Sequence, residues 1–136
     1  MRVSRFFTTD DKGSKYDEVD IPLIEREPDK WGNQIAMSER FHSDGVCIFE
    51  ISDGAFQDWH NAPTRQLCVV LEGEWEVETS NGVKVSWGRG EMFLPDDVDG
   101  TGHISRVLRG PVRILFVPLP VDFDITHWQL KATSHD

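Results

Sequence analysis

Long apolar runs are missing from this chain of 136 residues. The N-terminal segment turns polar at Thr8 and has no apolar core of signal-peptide length. No segment approaches the length of about 20 apolar residues that a membrane-spanning helix needs. We therefore expect a cytoplasmic protein with no membrane partner.

Cysteine is scarce, with two residues in the whole chain, Cys47 and Cys68. Each lies inside a short apolar run, which is typical of a buried free thiol. A chain of this length can bury one hydrophobic core without disulfide bonds. The pattern is therefore not that of a small secreted disulfide scaffold.

Basic residues are few in comparison with acidic ones, since the chain has 14 Lys and Arg against 24 Asp and Glu, a formal net charge of −10. An acidic surface repels the phosphate backbone of a nucleic acid and the surface of an acidic membrane. These two classes of partner are therefore not expected.

Long helical periods are also missing, whereas short extended segments separated by turn residues recur along the chain. Residues 74–79 alternate acidic and apolar side chains, the pattern of a half-buried strand. Asn81-Gly82 follows, a dipeptide that tolerates positive φ at both central positions of a hairpin turn. Many short strands with regular turns predict an all-β single domain, an antiparallel β-barrel or jelly roll.

The single domain is expected to have three parts. Residues 1–44 would supply N-terminal strands and a loop that pack on the barrel or on a partner, residues 45–120 the barrel core, and residues 121–136 a C-terminal tail. The expected strands are residues 3–8, 15–21, 34–38, 45–51, 66–71, 74–79, 83–87, 91–94, 103–108 and 112–117. Residues 25–32 are expected to form a loop, and residues 125–131 one short helix or strand.

Several glycine and polar residues in the middle of the chain follow the spacing of a known motif. Gly54 is followed after five residues by His60, Ala62 comes two positions later, Gln66 four positions after that, and Gly73 after six more residues. This spacing resembles the first motif of the cupin family, which runs from Gly to two His, a Glu and a second Gly. Ala62 stands at the second His position and Gln66 at the Glu position.

A second set resembles the other cupin motif, which starts at a Gly, passes a Pro and ends near a His. Gly90, Pro95 and His103 occupy these positions, with a loop about two residues longer than the common form. Together with residues 58–63, 81–82 and 99–103, these segments are similar to a subgroup of small bacterial cupins. The resemblance covers residues 45–118 and implies a single cupin barrel.

Metal-binding cupins present three His and one Glu to the barrel interior and hold iron, manganese, nickel, copper or zinc. By this resemblance His60, Gln66 and His103 would be the ligands of one divalent ion, such as Fe, Mn, Zn or Ni. Both imidazole rings should then enter one cavity, and the second nitrogen of each should meet an acceptor. The set lacks the charge compensation of a carboxylate.

Two other interpretations of the same residues stay open. Asp58 and His60 are two residues apart and share one face of a strand, so Asp58, His60 and His103 would form a two-His, one-carboxylate set that suits iron(II). Alternatively, both histidines hydrogen-bond inside a polar interior without a metal, and Gln66 satisfies them with its donor and its acceptor.

Several other polar and aromatic residues are expected to have structural roles. Arg65 is adjacent to Gln66 and should face away from the pocket, toward the surface or an interface. The tryptophans Trp59, Trp75 and Trp87 should pack in the barrel. Three aspartates in one loop lack the spacing of a calcium site and should be solvated; they are Asp96, Asp97 and Asp99. No role is predicted for the remaining histidines, which are His42, His127 and His135.

If Gln66 and Cys68 point inward, then Leu67, Val69 and Leu71 point outward. Three large aliphatic side chains are rarely left in water, so N-terminal strands, a second copy of the chain, or both should cover them. This favours a homodimer, which is also common among cupins similar to this one.

The predicted pocket indicates a class of function but does not identify a substrate. We expect a pocket for a small organic molecule, with a metal-dependent isomerase, lyase or dioxygenase as one possibility. A pocket that binds or senses a ligand without catalysis is the alternative, as is a metal-free structural cupin. The fold does not distinguish these functions, because it hosts many activities.

Overall fold

The structure is a computed structural model that describes residues 1–129. Ten strands and one three-residue 3-10 helix, Ile125–His127, make up its regular elements. The strands are β1 Arg2–Thr8, β2 Ser14–Asp20, β3 Ile24–Arg26, β4 Ile35–Met37, β5 Cys47–Ile51, β6 Phe56–His60, β7 Gln66–Thr79, β8 Lys84–Gly88, β9 Met92–Asp96 and β10 His103–Pro118. Among residues 1–129, no helix is long and apolar enough to span a membrane.

Eight of the strands form one sheet with the order β2-β1-β9-β7-β10-β5, in which β6 also pairs with β10 and β8 with β7. The all-β, jelly-roll-like fold is therefore as predicted. The sheet is mixed rather than wholly antiparallel, because β1 runs parallel to β9. These two strands are distant in sequence, so no tight turn forces them to be antiparallel. Strand pairing within residues 1–129 leaves the sheet open between β2 and β5.

Two long strands replace four of the expected short ones. β7 continues through Gly73, and β10 continues through the cis peptide between Gly110 and Pro111. Gly73 has φ of +82°, and a Cβ atom there would lie 2.6 Å from the carbonyl oxygen of Arg109. Glycine thus bends β7 at a close approach to β10 instead of ending it.

The two halves of each long strand pair with different neighbours. The first half of β7 pairs with β9 and with the second half of β10, whereas its second half pairs with β8 and with the first half of β10. The β7–β8 hairpin is confirmed, and the carbonyl of Thr79 accepts from the N–H of Gly82 at 2.9 Å. Only Gly82 of the Asn81-Gly82 pair has a positive φ.

Two segments differ from the expected secondary structure. β6 forms where no strand was assigned in the expected set, and it pairs with β10. β3 lies partly in the expected loop and pairs with β4 in a separate two-stranded sheet. Of the expected element at residues 125–131, the structure contains the 3-10 helix and a bridge from Gln129 to Val19. Residues 130 and 131 lie outside the described residues, as does His135.

The core consists of two clusters on opposite faces of the same strands. The inner cluster is formed by Phe6, Cys68, Val70, Trp75, Val77, Trp87, Phe93, Val107, Val112 and Ile114. The outer cluster is formed by Val3, Val19, Ile21, Leu67, Leu94, Leu119, Ile125 and Trp128. Neighbouring residues therefore belong to different clusters, as strand alternation requires.

The outer cluster covers part of the apolar face from which the homodimer was predicted. Leu67 is buried there by β1, β2 and the C-terminal segment of its own chain. The N–H of Asp20 donates to the carbonyl of Trp128 at 2.6 Å and ties this segment to β2. Val69 is half-buried and Leu71 is exposed. The homodimer stays a prediction, and the apolar face that motivated it is reduced to Val69 and Leu71.

The two cysteines differ from each other. Cys68 is buried as expected, but Cys47 is exposed, so the prediction of two buried thiols is wrong for Cys47. Cys47 begins β5, which lies at the end of the sheet order, and its neighbour Ile48 is exposed too. An apolar run at a sheet edge does not guarantee burial on both faces. Trp59 is also exposed, whereas Trp75 and Trp87 pack in the inner cluster.

Candidate functional site

A cavity of about 200 Å³ lies inside the inner cluster. Its walls are mainly apolar and aromatic, formed by Phe6, Phe49, Ala62, Pro63, Trp75, Val77, Phe93, Pro95, Ile114 and Phe116. Its polar lining residues are Gln57, His60, Asn61, Gln66, Cys68, His103 and Ser105. The three residues predicted as ligands, His60, Gln66 and His103, thus line one cavity although they come from three different strands.

His60 and His103 are cross-strand partners on β6 and β10. Their ring centroids are 4.3 Å apart with an interplanar angle of 55°. Gly102 makes this approach possible, because its φ is +77° and a Cβ atom there would overlap the carbonyl oxygen of His60. The hydroxyl of Ser14 donates to the carbonyl of Gly102 at 2.6 Å and holds the turn before His103.

The Nδ1 atom of each ring has an acceptor outside the cavity lining. In His60 it lies 2.7 Å from the backbone carbonyl oxygen of Asp58. In His103 it lies 2.5 Å from Oδ2 of Asp97. No hydrogen bond within residues 1–129 uses the Nε2 atom of either ring. Both rings are thus oriented through Nδ1, the arrangement expected of oriented histidines around a site.

The carboxylate that contacts His103 is that of Asp97, and not that of Asp58. Oδ1 of Asp58 accepts from the N–H of Trp59 at 2.9 Å, and Asp58 does not line the cavity. Asp97 is fully buried, and its Oδ1 atom has no hydrogen-bond partner within residues 1–129. The alternative set of Asp58, His60 and His103 is therefore not brought together by the structure.

The sequence did not indicate a role for Asp97, because all three aspartates of this loop were expected to be solvated. Only Asp99 fits that expectation: it is exposed, and its bond to Lys12 lowers the pKa of its carboxyl. Asp97 is drawn inward because its carbonyl accepts from the N–H of Ala62 at 3.2 Å and its side chain meets His103. No local pattern distinguishes the two aspartates.

Asp96 and Arg65 also differ from their expected positions. Asp96 is buried and accepts from Arg5 and from Nε of Arg65, each at 2.8 Å. Arg5 is buried as well and forms a second pair with Asp17. Nη1 of Arg65 donates to the carbonyl of Phe123 at 2.9 Å, which connects this network to the C-terminal segment. Arg65 thus faces away from the cavity, as predicted, but it holds the chain's own elements together.

Two other titratable groups of the inner cluster are held neutral. Burial raises the pKa of the Cys68 thiol. Burial also raises the pKa of Tyr16, with the charges of Asp97 and Glu76 adding to the effect. The hydroxyl of Tyr16 donates to the carbonyl of Val77 at 2.8 Å. Neither group is therefore available as an anionic nucleophile.

The polar residues that line the cavity are amides, histidines, a serine and a cysteine. No Asp, Glu, Lys or Arg is among the residues that line it. Within residues 1–129, no group of three or more His, Cys, Asp or Glu side chains is arranged to hold a metal ion. The chemically suitable donors are the two Nε2 atoms and the amide oxygen of Gln66, which match the neutral ligands of the sequence prediction.

No family model matches the chain, and no curated protein matches it. Solved structures do resemble it. A protein from Neisseria meningitidis is 21% identical, with a TM-score of 0.44, and covers 59% of this chain and 80% of its own. The CENP-C cupin domain of Drosophila melanogaster is 21% identical, with a TM-score of 0.43, over 69% of this chain and 72% of its own.

A third structure, assigned as ethanolamine utilization protein Q of Salmonella typhimurium, is 16% identical, with a TM-score of 0.44, over 90% of this chain and 98% of its own. The chain itself brings the two motif segments, around His60 and His103, to one cavity inside a jelly-roll-like sheet. This arrangement agrees with the cupin-type fold that the motif resemblance implies.

Proposed function

We propose that this protein binds a small organic molecule in the cavity, with His60, Gln66 and His103 as its polar end. The observation that carries the proposal is the meeting of these three side chains, from β6, β7 and β10, in one aromatic-walled space. A mostly apolar cavity with a few convergent polar groups is the usual form of a ligand site.

The size of the cavity limits the ligand. Its volume is about 200 Å³, and a protein cavity of about 150 Å³ accommodates benzene. A single ring with one or two substituents, or two small fused rings, would fill the space. We therefore infer a ligand of this size rather than a nucleotide or a large cofactor.

A fragment screen by NMR, with ¹⁵N-labelled full-length protein, tests this function. We expect single-ring and fused-ring fragments to shift the amide signals of cavity residues, and His60→Ala to weaken their binding. His42→Ala is the matched control, because the His42 side chain is 74% exposed and pairs with Asp44 outside the cavity. If no fragment shifts the cavity signals of the wild-type protein, the proposed function is wrong.

A divalent metal ion is the second candidate ligand. It is favoured by the occupied Nδ1 atoms, which leave Nε2 as the donor atom of both rings. His60 and His103 would hold Fe, Mn, Zn or Ni together with the amide oxygen of Gln66. A bound ion would supply Lewis acidity for an isomerase, lyase or dioxygenase reaction.

Metal titration followed by elemental analysis tests this candidate. If the site binds an ion, the wild-type protein and His42→Ala should retain one equivalent after gel filtration, and His103→Ala should retain none while its circular dichroism spectrum is unchanged. Equal metal content in His103→Ala and the wild-type protein would exclude this site.

A further inference from the structure

We propose that the cavity selects a neutral aromatic molecule that carries an N–H or O–H donor, and that Asp97 is the positioning residue for this selection. The inference rests on the proposed small-molecule pocket and specifies the chemistry of its ligand. Four features carry it: the charge of the lining, the hydrogen positions on the two imidazoles, the polar atoms around them and the aromatic walls.

The neutrality of the ligand follows from the lining. None of the described residues that form the cavity wall is Asp, Glu, Lys or Arg. An ion that leaves water needs an opposite charge or several hydrogen bonds to offset its desolvation. The carboxylate of Asp97 lies behind His103 and outside the lining, where its Oδ2 atom already meets Nδ1. A neutral molecule is therefore favoured over a carboxylate or an ammonium ion.

The donor requirement follows from the partners of Nδ1. The carbonyl of Asp58 and the carboxylate of Asp97 can accept a hydrogen bond but not donate one, so Nδ1 is the donor in both contacts. We infer that each ring carries a single hydrogen, on Nδ1, which makes each Nε2 atom an acceptor with a lone pair. The rings lie 4.3 Å apart, and their Nε2 atoms cannot bond to each other because neither carries a hydrogen. A donor from a ligand would satisfy them.

The other polar atoms of the lining add to this demand. The amide nitrogen of Asn61 donates to the carbonyls of Asp97 and Gly100 at 3.3 and 3.1 Å, which leaves its oxygen as an acceptor. The buried hydroxyl of Ser105 has no hydrogen-bond partner among residues 1–129 and can donate or accept. A buried polar group without a partner is costly, so this wall is arranged for a polar ligand atom.

The aromatic preference follows from the opposite walls. Five aromatic side chains surround the remaining space, which are Phe6, Phe49, Trp75, Phe93 and Phe116. Aromatic rings gain from stacked and edge-to-face contacts beyond the burial of their area. A planar ring with one donor at its edge would match the apolar walls and give a hydrogen bond to one of the two Nε2 acceptors.

Indole and benzofuran provide the test, because they have nearly the same shape and only indole has an N–H donor. Their dissociation constants are measured by NMR titration of the full-length protein, with benzoate as a charged probe. We expect indole to bind about fivefold to tenfold more tightly than benzofuran, the effect of about one net hydrogen bond. Benzoate should bind more weakly than either.

The role of Asp97 has its own measurement. Long-range ¹H–¹⁵N spectra of the wild-type protein report directly which nitrogen atoms of His103 carry a hydrogen, and we expect Nδ1 alone. Asp97→Asn can present either an oxygen or an NH₂ group to Nδ1, so it should give a mixture of tautomers and reduce the ratio of indole to benzofuran affinity. Asp99→Asn, an exposed aspartate of the same loop, should leave the tautomer and the ratio unchanged.

The outcomes separate this inference from the function on which it rests. Equal binding of indole and benzofuran, stronger binding of benzoate, or a hydrogen on Nε2 of His103 would overturn the inference and leave the pocket standing. If neither fused-ring probe nor any other fragment binds, the proposed function fails too. The wild-type tautomer decides the role of Asp97 even if Asp97→Asn does not fold.

Discussion

Adjacent residues of the same strands form the two faces of the sheet, but the two faces differ in packing and in how their polar groups are paired. Leu67 and Leu94 belong to the outer cluster, whereas their neighbours Cys68 and Phe93 belong to the inner one. The buried charges of Arg5 and Asp96 on the outer face are paired with each other. The inner face encloses a cavity, and the Ser105 hydroxyl there has no hydrogen-bond partner among residues 1–129. The outer face is thus closed by packing and ion pairs, whereas the inner face encloses the cavity in which we propose that a ligand binds.

The largest effect on stability is expected on the outer face. Leu94→Ala should lower the free energy of unfolding by about 3–4 kcal/mol, because Leu94 is fully buried and the substitution creates a void. Urea denaturation measures this loss. The affinity for fragments should stay unchanged at urea concentrations at which the variant is folded. A loss below about 1 kcal/mol would mean that the outer cluster is not the stabilising one.

The paired charges of the outer face should come next. Within the described part of the chain, Asp96→Ala leaves buried Arg5 with Asp17 as its acidic partner and removes the partner of Arg65 Nε. Breaking a buried ion pair costs about 3 kcal/mol or more. Asp99→Ala removes an exposed pair with Lys12 and should cost less than about 1 kcal/mol. Equal losses in the two variants, measured by urea denaturation, would show that the buried pairs stabilise the fold no more than the exposed pair does.

Thiol reactivity compares Cys68, which is buried in the inner cluster, with Cys47, which is exposed. Because burial raises the pKa of Cys68 and shields it, a charged thiol reagent should modify Cys47 alone in the native protein. Both thiols should react in denaturant. Mass spectrometry of each peptide distinguishes the two, and Cys47→Ser should be unreactive until it unfolds. Fast native labelling of Cys68 would show that the cavity opens to bulky polar reagents.

The smallest effect is expected where the outer face meets solvent. Leu71→Ser should change the free energy of unfolding by less than about 0.5 kcal/mol, because Leu71 is already exposed in the chain. Light scattering of both proteins connects this site to the predicted homodimer. A dimer that dissociates on Leu71→Ser would place the contact there, whereas an unchanged dimer would exclude Leu71 from it.

Several features of the fold could be predicted because their causes are local. Alternation of acidic and apolar residues placed Trp75, Val77 and Thr79 on the buried face of β7, since successive strand residues point to opposite sides. The parallel pairing of β1 with β9 and the bend at Gly73 depend on strands distant in sequence. Neither has a local signal that distinguishes it from a strand end or an antiparallel pair.

The sequence by itself determined which imidazoles could meet, because the motif spacing assigns His60 and His103 to segments that pair in a cupin-type sheet. Only the tertiary structure decided which carboxylate lies beside them. Asp58, Asp97 and Asp99 are alike as residues, and their roles differ through burial and through the backbone groups that they meet. Those contacts arise when the loop before β10 folds against β6, an event to which residues far apart in the chain contribute.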